Sequence, residues 1–318
     1  MRAVLSSFMS PQSSAIVRPS APIPSTAAGV GWGLLGVIAF SFTVIFTRVA
    51  VDTMSPLFIG AGRALVAAVL AGIALAATRQ TLPDRTQWRR LAVVGGGVVI
   101  GFPLLTSYAL VTAPAAHGAM VIALLPAATA VMAVLRGKEH PPPIFWVAAV
   151  AGAVTAVVFA SVQGGGIGHL HGADVLLLGA VVAAAIGYAE GGLLARELGA
   201  WQTVSWALVL CAPVMVTLTV IAVIRQAPSG GAAEWASFGY LAVVSMFLGF
   251  FAWYRGLAIG PMAQVSQIQL VQPVLSICWA ALLLHEHVTW STAVGAAAVI
   301  ACAGLAVRVR LRARTASS

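Results

Sequence analysis

Two stretches of equal length decide the fold: LVTAPAAHGAMVIALLPAATAVMAVLRGKEH at residues 110–140 and LAIGPMAQVSQIQLVQPVLSICWAALLLHEH at residues 257–287. Each places a proline thirteen residues before a Glu-His pair, as Pro126 with Glu139-His140 and as Pro273 with Glu286-His287. The same offset of 147 residues matches further positions: Leu110 with Leu257, Pro114 with Pro261, Ala116 with Ala263 and Leu135 with Leu282. The chain is therefore predicted to contain an internal repeat.

The composition around these stretches excludes a soluble protein. Apolar residues make up 60% of the 318 residues and charged residues only 8%, whereas soluble domains carry about 25% charged residues. The apolar runs lack the strict alternation of a transmembrane β-strand. We predict an all-α polytopic membrane protein with ten transmembrane helices of about 20 residues each. The predicted spans are 28–48, 56–77, 90–111, 115–135, 143–162, 173–194, 203–224, 236–257, 261–284 and 288–307.

The distribution of basic residues predicts the orientation. With the amino terminus inside, 14 of the 17 Lys and Arg residues lie in cytoplasmic segments, against only Arg48 and Arg225 outside. This bias places both termini in the cytoplasm and the chain in the inner (plasma) membrane. Residues 1–27 are then a disordered cytoplasmic tail and residues 308–318 a basic cytoplasmic tail.

The number of spans in each repeat predicts how the repeats are related. The repeats are residues 28–162 and 173–307, and each contains five spans. Because five is odd, the second repeat must lie inverted relative to the first. Two inverted repeats around a central site are the architecture of alternating-access carriers.

Other function classes find no support in the sequence. The net charge of +9 does not indicate a nucleic-acid partner, because the basic residues are scattered between apolar runs. Cys211, Cys278 and Cys302 lie inside apolar runs and show neither a disulfide framework nor metal-ligand spacing. No nucleotide-binding loop or catalytic cluster is found, so we predict no enzyme, no cofactor and no metal. The expected partners are a small-molecule substrate, the lipid bilayer and, as a candidate coupling ion, protons; both a monomer and a homodimer remain open.

The chain resembles a known family. The residues that carry the resemblance are Trp32 in a Gly-rich first helix, Ser55-Pro56-Leu57 followed by Arg63, Tyr108-Ala109-Leu110, Leu125-Pro126 with Glu139, and Tyr254-Arg255-Gly256-Leu257 with Gln272-Pro273 and Glu286. In this order they are similar to the drug/metabolite transporter superfamily, and most similar to its EamA-type ten-span permeases. The resemblance implies ten helices, cytoplasmic termini, movement of small organic metabolites, often outward, and a cavity lined by spans 1, 3, 4, 6, 8 and 9. The turn Leu-Gly-Glu, usual after the fourth and ninth helices, is replaced here by Arg136-Gly137-Lys138-Glu139 and Leu284-His285-Glu286.

Ionisable residues inside spans are costly and mark candidate sites. Arg63 in the second span is a candidate for a carboxylate substrate, or a tether that reaches back to the outer interface. Glu190 in the sixth span is a candidate proton or amine site, or an interfacial carboxylate that answers Arg196. Tyr188, in the same stretch, is a candidate binding residue or an interfacial aromatic.

Further candidates lie in the fourth and ninth spans. Gln264 and Gln267 are predicted to face a cavity, with Gln272 next, although amides of this kind also join helices by hydrogen bonds. His117 begins the fourth span and is equivalent to Gln264 in the repeat, so the two could share one cavity. Pro126 and Pro273 each free a carbonyl one turn earlier, as hinges or fixed kinks.

These observations predict a secondary transporter, and by resemblance an exporter, of small amphipathic metabolites such as amino acids. Transport would proceed by alternating access through a central cavity. Two alternatives remain open at this point. One is a proton-coupled exporter of cationic drugs with Glu190 as counter-charge, and the other is a non-transporting membrane scaffold.

Overall fold

The structure is a computed structural model of the chain. It describes residues 26–137, 143–144, 146–148, 150–151, 154–155, 171–259, 268–287, 289–290, 293–298, 300–302 and 304–305. Within these residues all regular secondary structure is helical, without any β-strand. The expected terminal tails, most of the fifth span, and Gln264 and Gln267 lie outside the described residues.

Eight helices have bounds that lie wholly within described residues. Their bounds are α1 (Thr26–Ser41 and Thr43–Ala50), α2 (Pro56–Ala77), α3 (Arg85–Val94, Gly95–Gly101 and Phe102–Ala109), α4 (Ala115–Ile122 and Leu125–Gly137), α5 (Gly172–Leu198), α6 (Ala200–Arg225), α7 (Ala232–Tyr240, Leu241–Leu248 and Gly249–Ile259) and α8 (Val271–Leu283). The middle segments of α3 and α7 are π-helical and the other segments are α-helical.

Six of these helices are long and apolar enough to cross a bilayer: α1, α2, α3, α5, α6 and α7. They coincide with predicted spans 1, 2, 3, 6, 7 and 8. The third span starts at Arg85 rather than at residue 90, because the Asp84 side chain accepts hydrogen bonds from Thr86 N and Gln87 N and the Gln87 side chain accepts from Asp84 N. This reciprocal cap starts the helix one turn outside the apolar run.

The fourth span, predicted over residues 115–135 with Pro126 as a hinge or a fixed kink, is not one continuous helix. The helix is interrupted at Ala123 and Leu124, immediately before Leu125-Pro126. The equivalent position of the second repeat also shows a turn, at Gln269 and Leu270, two residues before Gln272-Pro273. A proline lacks the amide hydrogen and its ring clashes with the preceding turn, which explains why α4 breaks before Pro126 and why a turn precedes α8 at Pro273.

The helix contacts repeat between the two halves. α1 packs on α7 as α5 packs on α3, α1 contacts α8 as α5 contacts α4, and α2 contacts α7 as α6 contacts α3. The pairs α2–α6 and α4–α8 pack on each other across the centre. This pattern is that of a bundle with a pseudo-twofold axis between α2–α6 and α4–α8.

Glycines permit very close packing in two equivalent helix pairs. A Cβ atom at Gly97 of α3 would lie 2.3 Å from the Ala183 carbonyl oxygen of α5. A Cβ atom at Gly256 of α7 would lie 2.7 Å from Gly33 N of α1. The backbones therefore lie in direct contact in α3–α5 and in α1–α7, as small residues permit at helix interfaces in membranes.

Ionic contacts fix the direction of α5. Arg90, near the start of α3, pairs with Glu190 and Glu197, near the end of α5. His117, near the start of α4, lies 2.6 Å from Asp174, near the start of α5. Since short links make α1, α2 and α3 alternate in direction, α5 runs antiparallel to α1. Below, the basic end of the bundle is the one with Arg90, and the far end is the one with Asp174.

Candidate functional site

A central cavity lies between the two halves of the bundle. It holds about 450 Å³ of unfilled space, part of it continuous with the outside of the molecule. The lining residues come from α1, α2, α3, α5, α7 and α8, and they are Phe40, Thr43, Val44, Arg63, Val98, Phe102, Pro103, Ala184, Tyr188, Ser245, Met246, Phe250 and Gln272. The lining differs from the expected set of spans in one member, because α2 takes part through Arg63 whereas α4 does not.

The two π-helical segments form facing parts of this wall. Gly95–Gly101 of α3 contributes Val98, and Leu241–Leu248 of α7 contributes Ser245 and Met246. The segments lie 146 or 147 residues apart at their ends, so they occupy equivalent positions of the repeat. π-Helical turns are rare and are frequent at functional sites. No feature of the residue pattern predicted them.

Arg63 is a buried cation in the wall of the central cavity. Its side chain is 1% exposed, so it does not reach back to an interface. Nη1 donates to Thr47 Oγ1 and Nη2 to Thr106 Oγ1, both at 3.4 Å, and Nε has no partner in the described part of the chain. The Thr106 hydroxyl itself donates to the Phe102 carbonyl oxygen at 2.7 Å, which leaves its lone pairs facing Arg63. Among the described residues no carboxylate forms an ion pair with Arg63.

Aromatic side chains form the apolar part of the wall. Tyr188 is buried and its ring lies 5.9 Å from Phe250 and 6.1 Å from Trp253. Phe250 also makes an edge contact with Phe40 at 4.9 Å. The alternative of Tyr188 as an interfacial aromatic is therefore wrong, and Tyr188 lies in the cavity wall. Nothing tests its contact with a substrate, which stays a prediction.

Gln272 lies between the central cavity and a second, smaller one. It is 6% exposed, and its Oε1 atom has no hydrogen-bond partner among the described residues. The second cavity holds about 240 Å³ and lies between the two broken helices, lined by Val44, Ala119, Ile122, Leu125, Pro126, Gln269, Gln272, Pro273 and Ser276. The two prolines thus face each other across the pseudo-twofold axis. Their role as hinges stays a prediction.

Hydrogen bonds tie α1 to the second half of the bundle close to the central cavity. Thr43 Oγ1 and Ser245 Oγ lie 2.8 Å apart and share a buried hydrogen bond. The Ser276 hydroxyl donates to the Ser41 carbonyl oxygen at 2.7 Å, and Trp279 Nε1 donates to Ser41 Oγ at 3.0 Å. Single Ser and Thr residues in apolar spans gave no signal that would have singled them out.

Glu190 belongs to an ionic cluster at the basic end. The carboxylate is 2% exposed and pairs with Arg90, which also binds Glu197 at 2.6 Å. The partner is therefore Arg90 rather than Arg196, which was the expected interfacial partner. Glu190 does not line the central cavity, and its role as a proton or amine site stays a prediction.

The far end carries two polar contacts between the repeats. Glu286 Oε1 accepts a hydrogen bond from Ala115 N at 2.8 Å and Oε2 accepts one from Ala116 N at 2.9 Å. One carboxylate of the second repeat thus caps the start of α4 in the first repeat. His117 and Asp174 form the other contact, so His117 lies at this end rather than in the lining of the central cavity. Its role in substrate binding stays a prediction.

The arrangement offers polar and aromatic groups that suit the binding of a small molecule. In the segments that the structure describes, no group of three or more His, Cys, Asp or Glu side chains could hold a metal ion. The wall of the central cavity combines the guanidinium of Arg63, hydroxyl and amide groups, and aromatic side chains. It lies at the boundary between the two pseudo-symmetric halves. Such a boundary is where carriers place their substrate site.

Comparison with known proteins adds sequence evidence. The model of the EamA-like transporter family matches residues 27–161 and, a second time, residues 171–308. The Bacillus subtilis (strain 168) protein named uncharacterized transporter YdeK is 44% identical over 280 residues, which cover 87% of this chain and 97% of that protein.

Comparison with solved structures supports the fold. One crystal structure of a protein superposes with a TM-score of 0.60 at 20% identity and covers 92% of this chain and 100% of its own. At this identity the likeness concerns the fold alone.

Proposed function

The chain belongs to the EamA-like transporter family and is a multi-pass membrane transporter of small molecules, and on this premise we propose that it is a secondary carrier of small amphipathic metabolites such as amino acids. Transport proceeds by alternating access through the central cavity, and the direction we propose is export. No step requires a catalytic group, in keeping with a transporter rather than an enzyme.

The course of the helices supports inverted repeats. α5 runs antiparallel to α1, and these are the first helices of the two repeats. The repeats are residues 28–162 and 173–307, and the pieces of helix described within 143–155 and 290–305 belong to the fifth and tenth spans. Inverted copies with a site between them are typical of alternating-access carriers.

The charge distribution supports the orientation in the plasma membrane. The basic end carries Arg79, Arg85, Arg89 and Arg90 near the junction of α2 and α3, and Arg196 near the end of α5. Cytoplasmic loops retain such residues, so we place this end, and with it both termini, in the cytoplasm. The far end, with Asp174 and Glu286, then faces outward.

One observation carries the proposal: Arg63, which is buried and whose Nε donor has no hydrogen-bond partner among the described residues, lines a cavity between the two repeats. A guanidinium without a counter-ion inside a membrane protein is costly, so a purely structural role does not explain it. It also favours a metabolite with an acidic group over a cationic drug, since Glu190, the counter-charge that such a drug would need, pairs with Arg90 outside the cavity lining.

Blocking of the cavity by a thiol reagent tests the pathway. The parent has Cys211, Cys278 and Cys302 replaced, and Ser245→Cys places one thiol in the cavity wall. Proteoliposomes are screened for exchange of labelled amino acids and then treated with methyl methanethiosulfonate. We expect exchange to be lost after treatment of Ser245→Cys and retained after treatment of Val69→Cys, whose parent side chain is 55% exposed on α2.

Because each variant is compared with itself before treatment, poor folding does not imitate the expected result. Full exchange after complete modification of Ser245→Cys would show that the substrate does not pass through this cavity. Absence of exchange for every amino acid, with the parent intact, would remove amino acids from the proposal.

A further inference from the structure

Two polar atoms in the central cavity are left without partners by the fold. They are Arg63 Nε, a donor on a cation, and Gln272 Oε1, a neutral acceptor, and neither has a hydrogen-bond partner in the described part of the chain. Both residues are more than nine-tenths buried, at 1% and 6% exposure. Buried polar groups of proteins are nearly always satisfied, so this pair indicates which polar groups a ligand of the cavity would bring.

The charge of the cavity specifies the charge of the ligand. Arg63 is the one charged residue among the described lining residues, and residues 260–267, GPMAQVSQ, which precede α8, contain no carboxylate either. One anion neutralises the cavity, whereas a zwitterion leaves a net positive charge and a dianion a net negative one. A buried charge without a counter-charge costs several kcal/mol. The site therefore favours a net charge of −1.

The geometry of Arg63 specifies the anionic group. A guanidinium presents planar, paired N–H donors that match the two oxygens of a carboxylate. Its existing bonds to Thr47 and Thr106 are long, at 3.4 Å, and go to neutral hydroxyls. A carboxylate would therefore replace weak contacts by charge-assisted ones.

Gln272 specifies a second group on the same ligand. An acceptor oxygen requires a donor, and a carboxylate has none to give. The donor must also be neutral, since an ammonium would upset the charge balance. The remaining wall, with Phe40, Phe250 and Met246, is apolar and suits a hydrocarbon side chain.

We infer that the central cavity binds monocarboxylates that also carry a neutral N–H or O–H donor next to the carboxylate, such as N-acylated amino acids and 2-hydroxy acids, in preference to free amino acids. The carboxylate binds Arg63, the donor binds Gln272 Oε1, and the side chain packs on Phe40 and Phe250. This inference rests on the proposed function and narrows its substrate class.

A set of ligands with one carbon skeleton tests the assignment. The probes are N-acetylleucine, 2-hydroxy-4-methylpentanoate, 4-methylpentanoate, leucine and leucinamide, and binding to the purified protein is measured by thermal stabilisation, which reports affinity without transport. We expect N-acetylleucine and 2-hydroxy-4-methylpentanoate to bind best. 4-Methylpentanoate should bind about fivefold more weakly because it lacks one hydrogen bond. Leucine should bind more weakly than N-acetylleucine, and leucinamide should not bind.

Two variants with matched controls identify the contacts. Arg63→Gln should abolish binding of every carboxylate, whereas Arg48→Gln, which removes a cation at the far end of α1, should not. Gln272→Leu should weaken the binding of N-acetylleucine about fivefold and leave the binding of 4-methylpentanoate unchanged. Gln202→Leu, at an amide that bonds Gln80 outside the cavity, should change neither.

The outcomes separate this inference from the proposed function. Equal binding of leucinamide and N-acetylleucine, or an equal loss of both carboxylates in Gln272→Leu, overturns the assignment of the polar groups. Binding in the expected order without any flux in vesicles supports the assignment and contradicts the carrier. If Arg63→Gln fails to fold, Arg63→Lys, which keeps the charge but loses the planar pair of donors, should still bind carboxylates more weakly than the parent; unchanged binding would overturn the role of Arg63.

Discussion

Replacement of Glu286 by glutamine should open the far end of the transporter. The carboxylate accepts hydrogen bonds from Ala115 N and Ala116 N at 2.8 and 2.9 Å and so joins the second repeat to α4 of the first. Glutamine keeps one acceptor oxygen and loses the other together with the negative charge. In the proposed cycle this contact must break whenever the far side opens.

The size of the effect follows from the two lost interactions. A hydrogen bond to a charged group contributes about 1.5–3 kcal/mol, and a charge at a helix start about 0.3–1 kcal/mol. Because Glu286 is only half-buried, we take the lower part of the sum, about 2 kcal/mol, which corresponds to a factor of about 30 in the equilibrium between closed and open far ends.

The assay measures access to the central cavity from the far side. Ser245→Cys in the parent that lacks native cysteines is labelled with a membrane-impermeant methanethiosulfonate in right-side-out vesicles. We expect Glu286→Gln to raise the labelling rate by up to about 30-fold and Glu286→Asp, which keeps the charge, to raise it less. Asp52→Asn is the control, since Asp52 is a carboxylate at the same end that lies in the turn after α1 and, among the described residues, pairs only with Arg48, four residues earlier in the chain.

The reasoning is refuted if Glu286→Gln lowers the unfolding temperature but labels at the parent rate. The carboxylate would then be a static cap that stabilises α4 in every state. Equal acceleration by Asp52→Asn would show instead that any loss of negative charge at this end opens it.

Two further predictions concern the contact of α3 with α5. Gly97→Ala should destabilise the protein by about 1–3 kcal/mol, because its Cβ would lie 2.3 Å from the Ala183 carbonyl oxygen. Gly96→Ala should have no effect, because nothing lies within 4 Å of its Cβ. Thermal unfolding of the two variants measures the difference, and equal midpoints would contradict the close packing. Arg90→Gln should lower the free energy of unfolding by up to about 3 kcal/mol, because it removes the cation that faces the buried Glu190. The double variant Arg90→Gln with Glu190→Gln should recover most of this free energy in the same measurement. No recovery would show that the pairing contributes little to stability.

The fold was predictable wherever the lipid bilayer constrains the chain. The helical class was predicted from the apolar runs, the prolines in loops and the basic residues. Six of the predicted spans coincide with long apolar helices of the structure. Helix ends were less predictable, because a helix can continue past the bilayer when a cap such as Asp84 with Gln87 satisfies its first amides. Hydropathy indicates which residues lie in the lipid, but it does not indicate at which residue the hydrogen bonds of a helix begin or end.

The candidate site was predictable for residues whose presence in lipid is costly. Arg63, Tyr188 and Gln272 all line the central cavity, and the first and last stood out as polar residues within spans. Partners were not predictable, since the cation that faces Glu190 comes from Arg90, one hundred residues away, rather than from nearby Arg196. The π-helical segments left no signal either, because their residues are the same Gly, Val and Leu that form the neighbouring α-helices.

Polar contacts between the repeats fall into two kinds, and the packing around each tells them apart. Arg90 joins α3 to α5 where Gly97 brings the two backbones into contact, so a tilt of one helix against the other would force backbone atoms to overlap or separate. We therefore expect that pair, and α1–α7 by the same argument, to move as a rigid unit in the proposed cycle. Glu286 instead reaches α4, a helix interrupted just before Pro126 and facing the start of α8 at Pro273. A helix can bend where its hydrogen bonds are missing, so we place the gates of the proposed cycle at α4 and at the start of α8 and expect the ionic cluster of Arg90 to stay closed.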